Sequence, residues 1–196
     1  MASIGFDFDQ FDKISADKLL KCDLDSLSKR AKYLYDNGYI DIIGSNNYLG
    51  VCEVLSGVSL EEFIDIIKVL KEYYKFTDED VKSLLKRGTV IFTKDGFDNF
   101  KHNMDILREY NVSNSVVVTR GILFLINDYM KNKRLIAKLP DGVSVTDFLS
   151  ENIGVLYDSE RVLNNLDSFS LYGFSLSDDK GAYSVLTTFD LAGVLD

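Results

Sequence analysis

The sequence of 196 residues has one proline, no tryptophan, two cysteines and one histidine. Proline breaks helices because it lacks a backbone N–H and its ring clashes with the preceding turn, so its scarcity leaves long stretches free to be helical. Cys22 and Cys52 are too few for a disulfide scaffold in a chain of this length, and with a single histidine they cannot form a Cys/His zinc site. Collagen-like, proline-rich and low-complexity classes are also excluded.

Motifs that identify common enzymes are missing as well. The chain has no Walker A loop, no glycine-rich dinucleotide fingerprint and no nucleophile elbow that His102 could serve. Tyr129 and Lys133 have the spacing of a reductase pair, but the cofactor loop that such a pair requires is absent. Short Asp-x-Asp pairs occur at 7–9 and 23–25, as chance predicts in a chain rich in aspartate. We therefore expect no catalysis, no cofactor, no metal and no small-molecule substrate.

Targeting and membrane segments are not evident either. The N-terminus lacks the basic region and the apolar core of a secretory signal. The longest apolar stretch runs from Val116 to Ile126 and is interrupted by Arg120, whereas a membrane-spanning helix needs about 20 apolar residues. These observations predict a cytoplasmic protein that does not bind membranes.

A turn signature recurs along the chain at intervals of 30-odd residues. It consists of a glycine, asparagine or lysine, then an apolar residue and, in most copies, serine or threonine. The first residues of the five copies are Gly38, Lys75, Asn111, Gly142 and Gly173. Glycine and asparagine suit the left-handed conformation that ends many helices, and serine or threonine suits the start of the next helix. The spacing predicts repeated helix–turn–helix units.

Apolar residues before four of the turns recur every three or four positions, as on the buried face of a helix. Clear examples are Leu27, Ala31 and Leu34 before the first turn, and Phe63, Ile67 and Leu70 before the second. The pattern predicts an all-α fold, a right-handed or curved solenoid of about five helix–turn–helix repeats that forms a single domain over 1–196.

Three apolar runs leave an alternative open. They begin after Arg87, Arg120 and Asn152, where the repeat register places them behind the second helix of a unit. Read alone, these runs and residues 133–145 are also compatible with β-strands, because short apolar runs do not distinguish the two structures. The alternative is an α+β fold with short hairpins in 89–145.

The unit of Leu-x-x-x-Gly-apolar-Ser, a short helix and an apolar run resembles the repeat of the mitochondrial transcription termination factor (mTERF) family, over about residues 24–190. That family usually has proline before the apolar run, where this chain has Gly88, Gly121 and approximately Asn152. The resemblance implies an α-solenoid and, in that family, a basic surface that binds nucleic acid.

Charge is distributed unevenly along the chain. The net charge is −9, but residues 67–138 carry 14 basic and 9 acidic residues between acidic ends. Basic residues of this middle region are candidates for contacting phosphates or an acidic partner: Lys82, Lys86, Arg87, Lys101, Arg108, Arg120, Lys131, Lys133 and Arg134. The other interpretation is that they lie on solvated helix faces and pair with neighbouring acids.

The first 15 residues form a distinct segment in which Phe6, Phe8 and Phe11 alternate with aspartates. We expect this segment either to cap the first repeat or to dock into a basic, apolar groove. Taken together, the sequence predicts a helical-repeat protein that binds a macromolecular partner, most simply a protein, as an adaptor or inhibitor. The alternative is a nucleic-acid-binding regulator of the transcription-termination type that uses the basic middle repeats.

Overall fold

The computed structural model describes residues 21–39, 54–87, 89–121 and 128–171. Throughout these residues the regular elements are helical and no strand occurs. The prediction of an all-α fold is therefore confirmed for this part of the chain. The chain forms two compact units, Met1–Asp98 and Asn99–Asp196.

Eight α-helices account for most of the described residues. They are α1 (Leu24–Asp36), α2 (Leu60–Lys68), α3 (Asp78–Arg87), α4 (Lys94–Glu109), α5 (Asn114–Val116), α6 (Tyr129–Ala137), α7 (Val145–Asn152) and α8 (Ser159–Leu171). Two π-helical turns continue α2 and α5 at Val69–Tyr73 and Val117–Gly121. Two 3₁₀ turns, Thr89–Phe92 and Ile153–Leu156, follow α3 and α7.

The α+β alternative is wrong wherever the proposed strands are described. Residues 89–92 form a 3₁₀ turn, 117–121 a π-helical turn, and 133–137 belong to α6. In the first run the adjacent residues Ile91 and Phe92 are both fully buried, which does not fit a hairpin strand with one face in solvent. A strand at the surface of a sheet would alternate buried and exposed positions. Residues 122–127 lie outside the described residues.

The four predicted turns within the described residues all have left-handed backbone. The φ angles are +70° at Gly38, +62° at Lys75, +54° at Asn111 and +89° at Gly142. Gly173 lies outside the described residues. Among described residues no other position has positive φ, so the signature identifies these turns completely.

Hydrogen bonds explain how three of these turns end a helix. Tyr39 donates its N–H to the carbonyl of Leu34, and Val112 donates to Leu107, each over five residues as in a Schellman motif. Phe76 donates over six residues, to Leu70, because the π-helical turn inserts one residue. Tyr39, Phe76 and Val112 are buried, so each turn also anchors an apolar side chain.

The turn at Gly142 differs, since it follows the chain's one proline rather than a helix end. Val143 donates its N–H to the carbonyl of Pro140, which closes a β-turn with Gly142 at its third position. A φ of +89° there matches a type II turn, which favours glycine.

Polar side chains cap the helix starts on both sides of these turns. After the turns, Thr77, Ser113 and Ser144 accept backbone N–H bonds from the residue three positions on. The helix that precedes the turn in each unit also begins with a capping residue, whose side-chain oxygen accepts a backbone N–H. These capping residues recur at intervals of 30-odd residues along the chain. These capping residues are Asp23, Ser59, Thr93, Asp128 and Asp158. Each helix pair is thus delimited by local chemistry that the sequence repeats.

The core is built from the predicted stripes. In the first unit, Leu34, Phe63 and Leu70 are fully buried, and the ring of Phe63 lies 5.0 Å from that of Phe92. In the second unit, Phe148 and Val162 are also buried. The apolar 3₁₀ turns contribute to both cores, as the repeat register predicted.

Candidate docking groove and basic surface residues

A groove in the first unit lies between α2 and the first turn of α4. Four apolar residues line it, namely Val58, Ile66, Val69 and Phe97. Ile66 is buried, whereas the other three are half-buried and contribute surface to the groove. The groove has a volume of about 260 Å³. This is slightly below the range of about 300–1,000 Å³ that is typical of pockets for drug-sized ligands.

Charged side chains line the same groove. Glu62, Asp65 and Asp98 are exposed acids, and Lys94 is the one basic residue of the lining. With these side chains ionised, the lining carries three negative charges and one positive charge. The groove therefore combines an apolar surface with a net acidic lining.

The position of Glu62 follows from the capping box at the start of α2. Ser59 donates its backbone N–H to the Glu62 carboxylate at 2.8 Å, and Ser59 Oγ accepts the Glu62 backbone N–H at 3.2 Å. The Ser59 backbone N–H lowers the pKa of Glu62, so this side chain is ionised at neutral pH. The negative charge at this end of the groove is fixed by local structure.

Three predicted basic residues lie on α3 in the first unit. Lys82 is half-buried and pairs with Glu79 at 2.8 Å, whereas Lys86 and Arg87 are exposed at the end of the helix. Lys86 and Arg87 make no ion pair with another described residue. Their place in the last turn suits the helix dipole, which favours positive charge there.

The second unit holds the other predicted basic residues. Lys101 and Arg108 lie on α4, and Lys131, Lys133 and Arg134 lie on α6. Lys131 pairs with Glu160 at 2.5 Å. Lys133 and Arg134 are exposed and have no ion-pair partner among the described residues. Among these candidates, Lys82 and Lys131 are thus engaged in ion pairs with described residues. The backbone of Arg120 belongs to the π-helical turn, but its side chain lies outside the described part of the structure.

The predicted docking segment, 1–15 with Phe6, Phe8 and Phe11, also lies outside the described residues.

Buried polar side chains link neighbouring helices, and sequence patterns missed their role. Arg30 is 3% exposed, donates to the carbonyls of Val54 at 2.9 Å and of Val58, and lies 5.2 Å from the ring centre of Phe63. Burial lowers the pKa of Arg30. This arginine therefore ties α1 to the segment that enters α2.

An analogous contact occurs in the second unit. Asn132 on α6 donates its Nδ2 to Asn103 Oδ1 on α4 at 2.7 Å, and both side chains are 1% exposed. Arg30, Asn103 and Asn165 each stand eight residues before a turn residue of the repeat, and all three are buried. A sequence signal exists for the two asparagines, because residues 103–113 align without a gap onto 165–175 and both segments begin with asparagine.

Two ion pairs of the second unit have one and the same separation along the sequence. Lys131 with Glu160 and Lys138 with Asp167 join α6 to α8, and the members of each pair are 29 residues apart. Asn103 and Asn132 have the same separation. Helices α4, α6 and α8 of the second unit therefore contact one another in series.

No group of three or more histidine, cysteine, aspartate or glutamate residues suited to a metal occurs within the described ranges. In the same ranges no helix is both long and apolar enough to cross a membrane.

Comparisons with known proteins add no relative. No family model matches the chain, and neither the curated proteins nor the solved structures contain a match.

Proposed function

We propose that the protein is a non-enzymatic α-solenoid that binds a protein partner, as an adaptor or inhibitor. The observation that carries the binding role is the groove between α2 and α4, where Val58, Val69 and Phe97 keep apolar surface open to solvent. A concave apolar surface with a few polar groups at its edge is typical of binding sites.

The solenoid arrangement over 1–196 is part of this proposal. Its support is the regular series of capped helix pairs together with the contacts between α4, α6 and α8, which have a constant offset of 29 residues. Solenoids are built from units that contact their sequence neighbours and present extended surfaces. The resemblance to the mTERF repeat favours the same architecture.

Position-dependent photo-crosslinking tests the binding role. A photoreactive amino acid is placed at Val58, which lines the groove, or at Tyr35, which lies on α1 and is 63% exposed. We expect a discrete protein adduct in native lysate from position 58, resistant to nuclease and absent from position 35. Equal labelling from both positions, or no protein adduct from position 58, would contradict the proposal.

Binding to nucleic acid is the second candidate. The observation that favours it is the exposure of Lys86, Arg87, Lys133 and Arg134 without an ion-pair partner among the described residues. Phosphate binding predicts an affinity for DNA or RNA that falls steeply with salt, and that falls further in the variants Arg87→Gln and Arg134→Gln. A titration with DNA and with RNA at low and high salt tests this candidate function. Absence of binding at low salt would exclude it.

A further inference from the structure

We propose that the groove between α2 and α4 receives a basic amphipathic helix of the partner protein. This inference rests on the proposed protein-binding role and names the chemistry of the occupant. It is argued from the shape of the groove, its size and its charge.

The shape favours a helical segment. The residues that α2 and its π-helical continuation contribute are Glu62, Asp65, Ile66 and Val69, at steps of three, one and three positions. Residues at such steps form one stripe along a helix. Helix α4 contributes Lys94, Phe97 and Asp98 with the same kind of spacing. The groove therefore lies between a helical stripe and the first turn of another helix, and amphipathic helices bind apolar grooves with their apolar face.

The size favours anchoring side chains of a peptide over a complete small molecule. A volume of about 260 Å³ is small for a drug-sized ligand but suits a few apolar side chains that project from one helix face. The rest of such a helix would lie along the rim, within reach of the charged residues.

The charge selects a basic occupant. Three carboxylates and one ammonium group line the groove, so its net negative charge attracts lysine or arginine beside the apolar anchors and repels glutamate or phosphate. The chain's own N-terminal segment is a poor occupant, because Phe6 and Phe8 are accompanied by aspartates. The same repulsion disfavours nucleic acid at this surface.

Two designed peptides test the proposal on the full chain. Both have about 15 residues and the same leucine stripe, but one carries lysine and the other glutamate on the polar face. We expect fluorescence anisotropy to show saturable binding of the lysine peptide that weakens with salt. We expect no binding of the glutamate peptide at the same concentrations. Equal binding of the two peptides, or binding of neither, would overturn the proposed occupant.

Matched variants assign the binding to the groove. Asp65→Lys reverses a charge in the lining, and Glu72→Lys makes the same change at an exposed residue of the same helical stretch outside the lining. We expect Asp65→Lys to raise the Kd of the lysine peptide about tenfold, and Glu72→Lys to change it less than threefold. Circular dichroism confirms that both variants are folded. Equal effects of the two variants would place the binding elsewhere.

The outcomes distinguish this inference from the proposed function. If position 58 still crosslinks a protein while the lysine peptide fails to bind, the groove binds a partner of other chemistry, and only the inference is wrong. If position 58 yields no protein adduct, the proposed function itself fails.

Discussion

Left-handed backbone is easy for glycine and strained for residues with a Cβ, and the repeated turns contain both kinds of residue. Gly38 and Lys75 have φ angles of +70° and +62°. A Cβ at Gly38 would have no heavy atom within 4 Å, so the cost of a side chain there is conformational rather than steric. The lysine at position 75 already bears that cost.

Replacing the glycine of one turn and introducing a glycine in the other should have opposite effects on the free energy of unfolding. We expect Gly38→Ala to lower the free energy of unfolding by about 1 kcal/mol, because alanine is strained in the left-handed region. We expect Lys75→Gly to raise it by about 0.5 kcal/mol, since relief of strain exceeds the greater freedom of glycine in the unfolded chain. Urea denaturation measures both values, and a loss of stability in Lys75→Gly would refute the assignment of strain.

The positions of the turns could be predicted because left-handed backbone depends on the local sequence. Gly38 and Asn111 belong to residue types that tolerate positive φ, and Lys75 was found by its place in the repeat. Arg30 could not be predicted, because its burial depends on carbonyls 24 and 28 residues further along the chain. Its place between Leu27 and Leu34 on the apolar stripe indicates burial, but nothing in its immediate sequence indicates which groups accept its hydrogen bonds.

At the scale of elements, the contact between α4 and α6 depends on a buried polar pair. Asn132 and Asn103 are joined by one hydrogen bond of 2.7 Å, and Asn132 Oδ1 has no hydrogen-bond partner among the described residues. A buried polar atom without a partner is costly, so the pair adds specificity to the packing of α4 against α6 at some cost in stability.

A double-mutant cycle measures this contact. We expect Asn132→Ala to lower the free energy of unfolding by about 1–3 kcal/mol, because it leaves buried polar surface on Asn103 without this donor. The coupling energy with Asn103→Ala should be about 0.5–3 kcal/mol. Asn164→Ala, at an exposed position of α8, is the control and should change stability by less than about 0.5 kcal/mol. Additive effects of the two buried substitutions would show that the side chains act independently.

Helices with capping residues and apolar stripes could be predicted, whereas the secondary structure of the apolar runs could not. Thr77 with Asp80 and Ser144 with Asp147 follow local rules that the structure reproduces. The run at 89–92 is short and buried on more than one side, so its hydrophobic pattern fits a strand as well as a 3₁₀ turn. Only its packing against Phe63 and its neighbours decides between them.

For the whole molecule, charge governs how stability depends on pH. Hydrogen bonds and ion pairs lower the pKa values of Asp23, Glu62, Asp78 and Glu160 below their ordinary values of 3.8 or 4.5. Ion pairs raise the pKa of Lys71 and of Lys131 above 10.5. Both kinds of shift mean that the folded chain favours the charged forms.

Stability should therefore have a plateau between about pH 5 and pH 10. The contribution of the carboxylates is present above their unfolded pKa and is lost as the pH falls through the lower folded values. The contribution of the lysines is present below their unfolded pKa and is lost as the pH rises through the higher folded values. Urea midpoints measured from pH 3 to pH 11 test this, and added salt should flatten both flanks. A midpoint that rises below pH 5 would contradict the prediction.

The groove is a property of the whole arrangement and was not predictable. Its lining comes from 58–69 and 94–98, and no local motif indicates that these two segments face one another. The sequence indicated a basic middle region instead, because net charge by segment cannot show which side chains face one another. Lys82 and Lys131, for example, are engaged by Glu79 and Glu160.

The constant offset of 29 residues between contacts has a consequence for synthesis on the ribosome. Asn103, Lys131 and Lys138 each meet a partner that emerges only one helix pair later. Closing a loop of this length costs little entropy compared with joining distant ends of the chain. Helix α6 can therefore pack on α4, and α8 on α6, in the order in which these helices leave the exit tunnel.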